Sequence, residues 1–299
     1  MKCSLFFLFL LTANSIFAQA DTADLNRAYA RALDLTEAQA DSIRYYADYI
    51  ARATPKAPYP VGKIHGLRLY GYYYENKADF GKAIDFYLQS LYEARKIQDF
   101  EDEASALTDL AIVYTQDLRQ PEKAKGVYLE CVALNKKRGD ATSLIHTYNN
   151  LGAIYNKLGL YDSALVFLRE GLQIGKPLED QGKEDLSSLY NNFGNTYFYR
   201  KQFSQALVYF RDNYRHHLSH TDLPGKDDLW LDALNLADTY SEMNSFDSAA
   251  RYAVLSIDLA TQLASLSKES DSYEILSKVY QRKGDYKKKL RERENKIPF

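Results

Sequence analysis

The residues of this chain best suited to chemistry are few: five histidines and two cysteines among 299 residues. His216 and His220 stand four apart with His217 between them. On a helix that spacing brings two imidazoles to one face, where they can share a metal ion. Asp222 is the nearest carboxylate but does not complete a ligand set, so the expected reading is a solvated helix end with no metal and no cofactor. Cys131 falls where a small packing residue is wanted and reads as core, not as a nucleophile. The chain contains no His-Glu-x2-His, Cys-x2-Cys, Gly-x-Ser-x-Gly, phosphate loop or dinucleotide glycine pattern. The expectation is therefore a protein that is not an enzyme and has no catalytic residues.

Charge narrows the partner classes. There are 38 Lys and Arg against 40 Asp and Glu, a formal net charge of −2. A nucleic-acid binder gains affinity by releasing counterions at a basic face, and this balance points to no nucleic acid. The basic run Lys287 to Arg293 reads as a solvated final helix. Tyrosine occurs 26 times and proline only 7 times, which favours long helices packed through bulky side chains.

The N-terminus reads as an address. Met1-Lys2 is a minimal basic start, Leu5 to Leu11 is an unbroken apolar run, and Ala18-Gln19-Ala20 supplies small residues for cleavage. The run is too short for a bilayer, which takes about 20 residues. Residues 1–20 are thus expected to be a signal peptide, cleaved after Ala18 or Ala20, with export to the periplasm or beyond. Cys3 precedes the apolar run, so it is not a lipoprotein cysteine, and the mature chain would keep one thiol and no transmembrane segment.

The elements that would position any site emerge from an internal repeat. Gly71, Ala111, Gly152, Gly194, Ala237 and Ser277 each follow a large residue and precede a tyrosine three positions on, at intervals of 40, 41, 42, 43 and 40. Ala83, Ala164, Ala206 and Ala249 lie 12 residues after their markers, and Ala124 lies 13 after, implying one inserted residue before Pro121. Large residues four beyond those alanines (Tyr87, Tyr128, Leu168, Phe210) keep a helical period. Each unit thus reads as a helix, a tight turn and a second helix. The small residues allow close approach, and the aromatics fill the space beside it. Gly159, Asn244 and Gly284 are expected to end first helices, with Asp79, Ser245 and Asp285 as caps of the second. Pro121 suits a first turn, and Asp162 and Asp247 suit the positive end of a helix dipole.

Tyr148-Asn149-Asn150-Leu151-Gly152-Ala153-Ile154-Tyr155 with Tyr161 and Ala164, and Tyr190-Asn191-Asn192-Phe193-Gly194-Asn195-Thr196-Tyr197 with Phe203, Ala206 and Phe210, resemble the tetratricopeptide repeat (TPR). The period is longer than that family's 34 residues. The opening Trp is replaced, and only Pro177 comes near the closing Pro. The fold expected is all-α: an α-α superhelix, or TPR solenoid, of about six helix-turn-helix repeats. These would start near residues 64, 104, 145, 187, 230 and 270 and fill 64–299, after a helical half-repeat over 21–63 that includes Ala40 to Ala47.

The resemblance implies a concave groove lined by the first helices, which would bind a protein or peptide. Carried onto this sequence, its residues include His65, Arg68, Tyr72, His146, Asn149, Asn156, Asn191, Asn195, Phe198, Tyr199, Asp238 and Glu242. The Asn-Asn-x-Gly units and Asp-Ser-Ala turns also resemble the extracytoplasmic TPR sensor arms of Bacteroidota histidine kinases and regulators. Here the membrane helix and kinase of those proteins are absent, and the chain stops at Ile297-Pro298-Phe299. The sequence therefore suggests an exported scaffold, possible in three forms: a stand-alone sensor or signalling arm, a structural envelope adaptor, or the remnant of a truncated sensor kinase. Oligomeric state is left open.

Overall fold

In a computed structural model the chain is described over residues 22–35, 39–56, 59–117, 119–218 and 223–294. For Lys56, Gln116, Asp117, Leu223 and 285–294 only the backbone is described. The expected signal peptide, His220 and Asp222 lie outside these residues, as do the side chains of the basic run at 287–293.

Thirteen α-helices and no strand occur among the described residues. The chain divides into two compact units, 1–139 and 140–299. The first holds α1 (Thr22–Leu33), α2 (Ala40–Ala53), α3 (Gly62–Asn76), α4 (Phe80–Ile97), α5 (Phe100–Ile112) and α6 (Pro121–Arg138). The second holds α7 (Ala141–Lys157), α8 (Tyr161–Glu179), α9 (Ser187–Tyr199), α10 (Phe203–His217), α11 (Leu223–Glu242), α12 (Phe246–Gln262) and α13 (Leu266–Glu294). Within each unit consecutive helices pair as hairpins, so the fold class is an all-α helical repeat.

The hairpins close around the marker residues. A Cβ built on Gly71 would collide with the ring of Tyr87, one on Gly152 with Leu168, and one on Gly194 with the ring of Phe210. The glycine is thus a socket on the first helix for the residue sixteen positions later on the second. Ala83, Ala111, Ala124, Ala164, Ala206, Ala237 and Ala249 are all fully buried. The marker tyrosine three residues on stacks against a second-helix aromatic: Tyr74 on Phe86, Tyr155 on Phe167, Tyr197 on Tyr209 and Tyr240 on Tyr252. Their centroids lie 5.1–5.7 Å apart. Each such pair contributes about 0.5–1.5 kcal/mol beyond its buried area.

The same tyrosine shapes the turn. Backbone N–H groups of Asp79, Leu160, Gln202 and Ser245 donate to the carbonyls of Tyr74, Tyr155, Tyr197 and Tyr240 at 2.8–2.9 Å. This is the six-to-one bond of a Schellman ending. The residue before each donor is left-handed: Ala78, Gly159, Lys201 and Asn244, with φ from 55° to 71°. In the second hairpin the extra residue is absorbed as a π-helical turn over Val113–Asp117, after which Gln120 N–H reaches Tyr114 O at 2.6 Å. A single inserted residue commonly produces such a turn.

Three local expectations need correction. No turn forms at Gly284–Asp285: α13 runs unbroken from Leu266 to Glu294. Lys289 replaces the small residue that a return helix needs, so nothing rewards a break there. Ser245 precedes α12 but makes no side-chain capping bond. Pro177 lies inside α8 and closes nothing. Capping falls instead to carboxylates. Asp79 accepts from Lys82 N, Asp99 from Glu101 N and Asp102 N, and Asp140 from Ser143 N. In the N-terminal segment Leu25, Ala28 and Ala32 of α1 pack with Ile43, Ala47 and Ile50 of α2.

Gly194→Ala is expected to lower stability by about 1–3 kcal/mol through overpacking, read by chemical or thermal denaturation. Phe210→Leu in the same chain should recover part of that loss. An unchanged midpoint in Gly194→Ala would show that the socket is not tight.

Candidate functional site

The first helices of successive hairpins are joined by polar rungs. Counting from the marker, the residue three before it pairs with the residue two before the next marker. In the first unit this is Arg68 with Asp109, Nε to Oδ2 at 2.5 Å. In the second it is Asn192 Nδ2 donating to Asn149 Oδ1, and Asn235 Nδ2 donating to Asn191 Oδ1, both at 2.8 Å. Asn149 and Asn191 therefore serve inter-repeat hydrogen bonds. Asn156 is buried, and its Nδ2 lies 3.5 Å from the Asn192 carbonyl. At the far end Lys278 Nζ meets Asp238 Oδ1 at 2.6 Å, and Arg282 meets Glu242 at 2.7 Å.

Aromatic and exposed positions complete the face of the second unit. Tyr199 is half exposed, lies parallel to Tyr161, and meets Phe198 edge to face. Burial raises the Tyr199 phenol pKa, with Tyr161 and Asp238 adding to the effect. Asn195 is half-buried on α9. His146 sits apart from this cluster, with Nε2 3.4 Å from Glu184 Oε1. The second unit thus brings Asn149, Asn156 and Asn191 into one network with Asn192 and Asn235. Phe198 and Tyr199 form an aromatic patch, and His146 stays at the edge.

In the first unit the first-helix face opens into a cleft of about 510 Å³, lined by Tyr29, His65, Arg68, Asp99, Glu101, Asp102 and Ser105, with Leu33 and Val61. A chain of polar contacts runs through its lining residues His65 and Asp102. Tyr59 Oη donates to Asn26 Oδ1 at 2.8 Å and lies 2.5 Å from His65 Nδ1. His65 Nε2 lies 3.2 Å from the Asp102 carboxylate. The ring of Tyr29 stacks on His65 at 3.7 Å, and its hydroxyl takes a hydrogen bond from Arg68. Burial pushes the Tyr59 phenol up to about 12, and it also raises Tyr29 strongly. Neither phenol is activated as a nucleophile. Burial opposes the charge on Arg68, but Asp109 and the neighbouring groups more than offset it. The guanidinium stays charged and committed to its partner. Tyr72 lies outside the cleft lining and donates to the Leu35 carbonyl at 3.1 Å.

His65 and Arg68 stand among the groove positions that the repeat implies; their partners Asp102 and Asp109 lie 37 and 41 residues away and are not among those positions. One signal was available: Arg68 and Asp109 occupy the same repeat positions as Asn149 and Asn192. Cys131 is fully buried, and burial pushes its thiol up to about 12, so it is an inert core residue. Among the described residues no helix is long and apolar enough to cross a membrane.

Stacked hairpins with first helices joined rung by rung define the class: a helical-repeat fold of the tetratricopeptide kind. Residues 143–217 match the sequence model of the tetratricopeptide repeat. No curated protein matches the chain. Among solved structures, BtubC (BKLC) from P. vanneervenii is similar with 20% identity and a TM-score of 0.59, over 80% of this chain and 92% of that one. A Rap protein complexed with Competence and Sporulation Factor is similar with 15% identity and a TM-score of 0.58, over 83% and 81%. A Rap conjugation gene regulator in complex with a Phr peptide shares 16% identity with a TM-score of 0.53, over 75% and 74%. These likenesses carry the fold.

Asn191→Ala and Asn235→Ala, alone and together, are expected to show a coupling energy of about 0.5–1.5 kcal/mol in a double-mutant cycle of unfolding free energies. Strict additivity would mean that the rung contributes nothing to joining the hairpins.

Proposed function

We propose that this chain is a non-catalytic helical-repeat scaffold, exported to the periplasm or secreted after loss of residues 1–20, that binds a protein or peptide on the faces of its first helices. Its role would be that of a sensor or signalling arm. The observation that carries the binding reading is the cleft in the first unit. Three of its lining residues, Asp99, Glu101 and Asp102, are carboxylates, while Arg68 is already paired with Asp109. The site therefore favours a cationic group. A lysine or arginine side chain of an extended partner fits, with the ammonium or guanidinium among the carboxylates and its stem against Tyr29, Leu33 and Val61. Two of the similar solved structures are complexes, with Competence and Sporulation Factor and with a Phr peptide. They support peptide binding as the use of such a face. Export rests on the three-part layout of the first 20 residues.

Two measurements test this reading. N-terminal sequencing of protein recovered from the producing cell's envelope or medium should begin after Ala18 or Ala20; an intact Met1 would remove export. An array of extended peptides differing in one central residue should bind best with Lys or Arg there. Glu101→Lys should weaken that binding about tenfold without moving the melting temperature. Equal binding of Lys-centred and Glu-centred peptides would overturn the cationic-partner reading.

A further inference from the structure

A second cluster lies away from the cleft, at the end of α10 in the second unit. Ligand atoms of Asp185, His216 and His217 all fall within 4.8 Å of one another. Asp185 comes from the connection before α9, where its Oδ1 accepts from the backbone and hydroxyl of Ser187. Its Oδ2 is turned to His216 Nε2 at 3.6 Å. Two ligands of a tetrahedral ion with bonds of about 2.0–2.1 Å stand about 3.3 Å apart. The observed separation is therefore close to that of two groups sharing one ion.

His217 adds what an ordinary surface histidine lacks. It is buried, and its Nδ1 lies 2.6 Å from Oδ2 of Asp232, itself buried on α11. A metal-binding histidine characteristically gives its second nitrogen to such a carboxylate, which fixes the tautomer and ring orientation. With Nδ1 directed to Asp232, the nitrogen that would take an ion is Nε2. Local charge agrees. Asp185, Asp228 and Asp232 all favour positive charge at His217. The carbonyl end of the 15-residue helix α10 adds negative potential at the same place.

We infer that Asp185, His216 and His217 form a binding site for a divalent transition-metal ion, with Asp232 as the positioning residue for His217. Two imidazoles and one carboxylate suit Zn²⁺, with water completing the shell. The site ties the connection before α9 to the end of α10, so occupancy would brace that hairpin. It is independent of peptide binding in the first unit.

The test is calorimetric titration of the full, tag-free chain with ZnCl2, followed by Co²⁺ titration read by visible absorption. One ion should bind per chain, and Co²⁺ should give the intense bands of a tetrahedral complex. His216→Ala alters an exposed residue and should weaken Zn²⁺ binding at least tenfold with the apo melting temperature unchanged. Asp232→Asn should weaken it about 10- to 100-fold. His146→Ala, at an exposed histidine facing Glu184, should leave Zn²⁺ affinity unchanged. Zn²⁺ affinity that is equal in the wild type and His216→Ala would overturn the site, as would absence of one-to-one binding. Then Asp185, His216, His217 and Asp232 would be a structural ion-pair cluster only.

Discussion

Three of the hairpins are set by a missing side chain. Gly71, Gly152 and Gly194 leave a hollow on the first helix, and Tyr87, Leu168 and Phe210 fill it from the second. Protein interiors are packed to crystal-like density, so such a fit fixes the distance and rotation of two helices together. Where the marker is Ala237, the residue sixteen later is Ala253, and both are fully buried: the volume is shared out differently at the same offset. The marker tyrosine then links packing to chain reversal, since its ring stacks across the hairpin while its carbonyl receives the bond that ends the helix.

Polar groups are organised on a separate principle. The hairpins close through apolar and aromatic contacts, whereas successive first helices join through hydrogen bonds. The first unit uses the Arg68–Asp109 ion pair; the second uses asparagine amides between α7, α9 and α11 and ion pairs between α11 and α13. Charged groups, once partly buried, must be paired. The arginine of the first unit is accordingly neutralised, and the carboxylates lining the cleft give it its sign. In the second unit charge gathers at two places: between α11 and α13, and at the end of α10 around His216 and His217.

The repeat and its period were legible because glycine, alanine and tyrosine recur at fixed offsets, and the extra residue before Pro121 could be counted even without knowing that a π-turn would absorb it. The left-handed turn residues were legible at Gly159 and Asn244, whose types favour that conformation. They were not legible at Ala78 and Lys201, where the hairpin geometry overrides the residue's preference. The continuity of α13 was hidden because Gly284 has the right type at the right offset; what is lacking is a second-helix face to fold back. His65 and Arg68 were legible as groove positions and His216 and His217 as neighbouring imidazoles; their carboxylate partners were not, since Asp102, Asp109, Asp185 and Asp232 lie 15 to 41 residues away and meet them only when helices stack.

The rungs also bear on ancestry. An arrangement built from near-identical modules invites gain, loss or reordering of modules by recombination, because any hairpin could nest on any other through its apolar faces. The lateral partners forbid that freedom. A hairpin bearing Arg68 tolerates a successor with Asp109 but would bury an unanswered cation against one bearing Asn192. The order of the modules is thus written into the chain as a set of matched neighbours, and complementary pairs, not single positions, are the units that must change together.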